Sequence, residues 1–204
     1  LFQDLGSAPA TMTAAHVADF VATLPGCTGQ LADAVRAYTQ ALLTGVPTWV
    51  RLPREEWPAS WSAMTDPVVP LRLALYGHPD AGSCWERHCD TKLKEQCFVP
   101  IETWPGCYAH KTLSVFLTVY VDDFKMAGKT EDLATAWRLI RKSVELEDPT
   151  PFGRYLGCEQ RILEGTLAQM AAENSLPGVP ARSANSGLKV RAVEYDVQKF
   201  MLQC

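Results

Sequence analysis

The chain has no run of apolar residues long enough to cross a membrane. Its longest near-continuous stretch, Leu113 to Val121, falls far short of the ~20 residues a spanning helix needs. No secretory leader is expected either, since Gln3 and Asp4 stand where a basic n-region would be. These absences predict a protein without a membrane partner, intracellular and not secreted, in cytoplasm or nucleus. Positive charge is not in excess: the formal net charge of −4 excludes a surface basic all over, while leaving room for a local nucleic-acid groove. Internal repeats and low-complexity tracts are absent. What remains is ordinary globular composition, with 47% hydrophobic and 21% charged residues in a chain of 204. That excludes a disordered or fibrous chain and gives enough length to bury a core without disulfide or metal staples.

The seven cysteines lack the even count and regular spacing of a secreted disulfide framework. The group Cys84, His88, Cys89, Cys97, Cys107 and His110 invites a zinc reading, and a zinc-dependent binding module on Cys107 and His110 is one alternative. Zinc sites usually show two closely spaced pairs. Only Cys107 and His110 are so spaced, and free cysteine is among the most buried residue types, so core thiols in a reducing compartment are the expectation.

Helical periodicity begins after Thr11, a candidate cap, with Val17, Phe20, Val21 and Leu24 as the expected buried stripe and Pro25-Gly26 as the stop. Gln30 to Val35 reads as a short strand through Asp33, and Thr48 to Leu52 as one arm of a hairpin. A second helix spans about Asp80 to Gln96, with Trp85, Cys89 and Leu93 on one stripe. From Leu113 to Val121 apolar residues alternate with Ser, Phe, Thr and Tyr, the period-two pattern of a strand with two distinct faces. A third helix has Thr130 as candidate cap, Glu131 and Asp132 in its first turn, and Leu133, Trp137, Ile140 and Val144 as its stripe, ending before Pro149. Arg154 to Ile162 is a further strand, with Glu164-Gly165 as a candidate hairpin turn. Leu176 to Gly187 reads as linker, and a last helix carries Val193, Val197, Phe200 and Cys204. This order predicts an α+β fold, an antiparallel sheet with helices packed on one face.

Three acids fall where strands end: Asp33 and the pair Asp122-Asp123. Nucleotidyl transfer needs two divalent cations ~4 Å apart. Magnesium takes oxygen ligands and keeps water, so two carboxylates from neighbouring strands suffice once phosphate oxygens complete the shell. Taken alone, Asp-Asp after a strand is an ordinary turn. Tyr38 is equally a buried aromatic, Gly77 a turn glycine and Trp85 a core anchor.

The acids sit among further motifs. Tyr120-Val121-Asp122-Asp123 resembles the YxDD box of reverse transcriptases, and Asp33-Ala34-Val35-Arg36-Ala37-Tyr38 the same family's first acidic box. Between them, Leu73-Ala74-Leu75-Tyr76-Gly77, with Ala81 and Trp85 beyond, is similar to the LYG…A…W signature of the copia-type retrotransposon subgroup. Thr48 to Pro53 resembles the segment after the first box, and Tyr155-Leu156-Gly157-Cys158 the strand following the palm. Tyr195 and the residues after it resemble the first thumb helix. The likeness runs through nearly the whole chain in order. Pro79 stands where the subgroup usually carries a basic residue, and no lysine among Lys125, Lys129 and Lys142 is marked out as a general acid.

The resemblance implies a reverse-transcriptase palm with partial fingers over residues 1–165, then a linker and the start of the thumb over 166–204. It implies RNA-directed DNA synthesis in which Asp33, Asp122 and Asp123 are the catalytic and metal-binding residues for two Mg2+ ions, with Mn2+ able to substitute. Ala34, Ala37, Tyr38, Gly77, Tyr120 and Val121 would form the nucleotide site, Tyr38 being the gate that refuses a 2′-hydroxyl. Implied partners are an RNA template, a DNA primer, deoxynucleoside triphosphates, and the rest of a Pol polyprotein: basic fingers, RNase H and integrase. With Leu1 opening the chain, a fragment of a longer protein is expected. The alternative is a catalytically silent retroelement remnant that binds nucleic acid or has no activity.

Overall fold

The computed structural model describes residues 9–172 and 187–201. In chain order the elements are α1 (Met12–Thr23), β1 (Cys27–Asp33), β2 (Trp49–Val50), β3 (Val69–Pro70), α2 (Ala81–Glu95), β4 (Phe98–Ile101), β5 (Trp104–His110), β6 (Val115–Tyr120) and β7 (Asp123–Lys129). Then come α3 (Thr130–Ile140), β8 (Thr150–Pro151), β9 (Arg154–Tyr155), β10 (Cys158–Thr166), α4 (Leu167–Ala172), β11 (Lys189–Asp196) and α5 (Gln198–Met201). Six strands form one sheet in the order β4-β5-β6-β7-β1-β8, every neighbouring pair antiparallel. The sheet β11-β10-β9 and the pair β2-β3 stand beside it. The chain is thus a mixed α/β protein built on antiparallel pairing. Among the described residues no helix is long and apolar enough to cross a membrane.

The alternation in β6 fills both faces of the large sheet. Val115, Leu117 and Val119 join Phe124 and Met126 of β7 in the main core, where α2 contributes Trp85, Cys89 and Leu93 and α3 contributes Leu133, Trp137 and Ile140. The opposite face meets α1: Ala18 and Ala22 pack on Ala127 and Phe116, and Ala15 on Leu31 and Tyr155. Helices therefore cover both faces, not one. The buried stripe of α1 also differs from expectation, being Ala14, Ala15, Ala18, Asp19 and Ala22, while Phe20 is 64% exposed. Small side chains let this helix lie close against the strands, which a Val/Phe/Leu face would prevent. Its cap is as expected, with Thr11 Oγ1 accepting from Ala14 N–H.

Three further expectations are corrected. Lys129 holds the cap position of α3, and Thr130 is its first residue, bonded through both N–H (3.0 Å) and Oγ1 (3.1 Å) to the carbonyl of Gly26. The hairpin turn lies at Leu156-Gly157, where φ is +47° and +83°, the left-handed pair that a two-residue turn demands; Glu164-Gly165 continues β10. Val193 and Tyr195 lie on strand β11 rather than a helix, and a single turn, α5, follows. β10 runs through the expected boundary after residue 165 and pairs with β11 from Glu159↔Asp196 to Thr166↔Lys189. The expected linker falls, up to residue 186, outside the described residues.

The second sheet is tied to the first by a buried charge. Lys125 on β7 is fully buried, ion-paired with Asp19 of α1 and donating to Gln160 Oε1 of β10 at 2.8 Å. Its ammonium lies 4.7 Å and 4.6 Å from the ring centres of Phe152 and Tyr155, and Tyr195 of β11 donates to Asp19 Oδ2 at 2.7 Å. Burial holds the Lys125 pKa below its ordinary value, against the pull of Asp19. A charge without its partner in such a place costs roughly 3–5 kcal/mol, whereas an apolar replacement of both partners is close to neutral. Urea denaturation should show Lys125→Met losing about that much stability and Asp19→Leu/Lys125→Met regaining most of it; additive losses in the double variant would contradict the pairing.

Candidate active site

The site is built where β1 and the β6–β7 hairpin end together. β1 pairs with β7 from Cys27↔Lys129 to Asp33↔Asp123, and β6 with β7 up to Tyr120↔Asp123. Val121 and Asp122 form the two-residue turn between them. Ala34 N–H donates to the Asp122 carbonyl at 2.8 Å, which makes Asp33 and Asp123 a non-hydrogen-bonded pair, the kind whose side chains approach most closely. The two carboxyl groups share a hydrogen bond.

Electrostatics follow from that juxtaposition. The Asp123 carboxyl is pushed up to about 6 by burial first, then by the charges of Asp33 and Asp122, then by the hydrogen bond its protonated form donates to Asp33. Among the described residues none of the three acids has a Lys, Arg or His ion-pair partner. Two like charges sharing a proton without a counter-cation form a donor set short of positive charge. By themselves the side chains do not complete a cage: among the described residues no group of three or more His, Cys, Asp or Glu is arranged to hold a metal ion. Two carboxylates need no cage where phosphate oxygens and water supply the other ligands, so the donor chemistry fits a shared magnesium site.

The turn itself is held from below. Val121 has φ +55°, a left-handed conformation costly for a β-branched residue. Its carbonyl accepts from the Trp85 indole N–H at 2.6 Å. Trp85 is thus a core anchor of α2 and also a clamp on the acidic turn. A cavity of about 50 Å3 is lined by Tyr38, Trp85, Val119 and Val121 among others.

Tyr38 sits on a 3-10 turn, Ala37–Gln40, half-buried, with its ring centre 4.4 Å from that of Tyr76. Burial, then the charges of Asp122 and Tyr38, raise the Tyr76 pKa, so the ring feels the charge on the turn. Gly77 follows with φ +90° and open space where a Cβ would stand, a conformation glycine adopts without strain. Tyr120 is half-buried and adjoins Asp123 in the ladder. Ala34 and Ala37 are buried, at 6% and 0% exposure, so their methyl groups pack inward and only their backbone borders the site. Tyr76 stands in the Leu73–Gly77 motif but carries no role in the sequence reading, and nothing local signals the clamp by Trp85. Of the candidate lysines, Lys125 is sequestered with Asp19. The zinc alternative meets a geometric obstacle, because Cys107 and His110 lie three residues apart on β5 and so point to opposite faces. Cys84, Cys89 and Cys107 are buried free thiols.

Comparison with protein-family models and with curated proteins gave no match to this chain.

The raised Asp123 pKa has a consequence for stability. Its folded value, about 6, lies above the ordinary 3.8, so between these values the native state binds more protons than the unfolded one, and stability falls as pH rises through about 6. The full shift would be worth roughly 3 kcal/mol, reduced to about 1 kcal/mol by solvent screening at this half-exposed site. Thermal melts without divalent cations should show the wild type losing that increment between pH 4 and 7 relative to Asp123→Asn. Parallel pH profiles of the two proteins would contradict the shared proton.

Proposed function

We propose that the chain is the palm portion of a reverse transcriptase of the copia-type retrotransposon class, catalysing RNA-directed DNA synthesis. The observation that carries this is the pairing of Asp33 with Asp123 across β1 and β7, with Asp122 on the adjoining turn. It brings together acids from two sequence motifs some ninety residues apart, which supports reading them as one site. In this reading Asp33, Asp122 and Asp123 hold two magnesium ions, which when bound supply charge neutralisation at the attacking and leaving oxygens. The three carboxylates would hold those ions at the point where the triphosphate and the primer 3′-hydroxyl meet; in the reaction the 3′-oxygen bonds to the α-phosphorus, the bond to the β-phosphate oxygen breaks, pyrophosphate departs and the hydroxyl proton passes to solvent. Tyr38 forms the wall beside the sugar of the incoming nucleotide, and Trp85 keeps the acidic turn from swinging away. Sequence is copied by base pairing, so protein contacts fall on phosphates and sugars rather than base edges. The fingers, RNase H and integrase of a Pol polyprotein, the template–primer duplex, and an intracellular setting belong to the same proposal.

Extension of a DNA primer on an RNA template with magnesium and deoxynucleotides tests it. Asp33→Asn and Asp122→Asn should each reduce extension by roughly a hundredfold or more, the several kcal/mol that a displaced metal ligand costs. Equal extension by wild type and both variants would remove the catalytic assignment. A folded wild type that extends no primer would favour a silent remnant instead.

A further inference from the structure

We infer that Tyr76 is a positioning residue that holds the Tyr38 ring in place, and that the pair, rather than Tyr38 alone, sets the preference of the site for deoxyribonucleotides over ribonucleotides. This rests on the polymerase reading above and goes beyond it, since nothing in that reading gives Tyr76 a role.

The backbone brings the two rings together deliberately. Ala74 N–H donates to the Ala41 carbonyl at 2.9 Å and Leu43 N–H to that of Arg72 at 2.9 Å, with an isolated bridge between Leu42 and Leu73. Ala37, Ala41 and Ala74 are each 0% exposed, so the segment bearing Tyr38 and the one bearing Tyr76 are sewn together over a tightly packed alanine floor. Three residues beyond Ala74 the chain turns at Gly77, with His78 N–H bonded to the Leu75 carbonyl at 3.0 Å. That turn leaves the Tyr76 ring tilted by 46° against Tyr38 and 53% exposed. Tyr76 therefore adds little to the core. What it packs against is the Tyr38 ring.

A gate of this kind works only if its ring stays put. Side chains move between staggered wells at little cost unless neighbours block the alternatives, and a tilted aromatic contact biases such a choice by roughly two- to tenfold. Without Tyr76 the Tyr38 ring gains room to turn toward solvent, and the space it vacates admits a 2′-hydroxyl. The Tyr76 hydroxyl is not needed for this, only the ring.

Two readouts test the inference on the full chain. In single-nucleotide addition to an RNA-templated primer, Tyr76→Ala should lower the ratio of kcat/KM for deoxy- over ribonucleotide by roughly three- to tenfold, mainly through a lower KM for the ribonucleotide, and Tyr76→Phe should restore the wild-type ratio. In parallel, 19F NMR of the chain carrying 3-fluorotyrosine, with the Tyr38 resonance assigned by Tyr38→Phe, should give one sharp Tyr38 signal in wild type and Tyr76→Phe, broadened or split in Tyr76→Ala. An equal loss of deoxy- and ribonucleotide addition in Tyr76→Ala, or an unchanged Tyr38 resonance, would overturn the inference. A wild type that adds no nucleotide would defeat the polymerase reading itself, and the NMR result would still decide whether Tyr76 holds the ring.

Discussion

The arrangement of this molecule depends on the register between β1 and β7. Side chains on a strand alternate between faces, so a slip of one residue would send Asp33 to the face opposite Asp123 and scatter the acids. The register is held by the Ala34 to Asp122 backbone bond and by the packing of each strand face against its own layer; the two-residue turn at Val121-Asp122 fixes the neighbouring β6–β7 register in the same way. On one side Phe124 and Met126 are locked into the main core with α2 and α3; on the other Ala127 is locked under α1. Neither set can exchange faces without exposing apolar surface. The carboxylates end up adjacent because of apolar packing further along the same strands, and they stay adjacent against their own repulsion.

The same logic explains the buried lysine. Lys125 follows Asp123 by two residues, so it shares its face and runs under α1 toward the second sheet. A cation there would be ruinous alone, yet Asp19, Gln160, Phe152, Tyr155 and Tyr195 surround it with groups from α1, β10, β11 and the segments between. The network fastens β9, β10 and β11 to the strand that carries a candidate catalytic acid. Arg191 makes a second attachment from β11, donating to the carbonyls of Leu24 at 3.0 Å and Cys27 at 2.8 Å. Such contacts specify one docking geometry more than they add stability.

The parts legible in the sequence are those whose signals are local. The strand through Asp33, the alternating β6, the Asp pair at its turn, and the Trp85, Cys89, Leu93 stripe of α2 each rest on the spacing of neighbouring residues. The illegible parts depend on partners distant in the chain. Nothing near Asp19 says that an acid on the inner face of α1 will be neutralised from β7, so the larger side chains were expected to form the buried stripe. Val193, Val197 and Phe200 fit a helical spacing, but β10 offers an edge that pairs with residues 189–196 and prevails over it. That helices cover both sheet faces was hidden for the same reason, since each helix signals one apolar stripe and not the side it lands on. The acids themselves were visible as three residues; their union required knowing that β1 lies beside β7.

The central claim is that Asp33, Asp122 and Asp123 together bind divalent cations. Electron paramagnetic resonance of Mn2+ titrated into the chain at neutral pH, with a deoxynucleoside triphosphate present, tests it most directly. The account predicts bound Mn2+ in the wild type beyond that held by the nucleotide alone, lost in Asp33→Asn/Asp123→Asn although that protein folds. The same bound fraction in wild type and the double variant would contradict it.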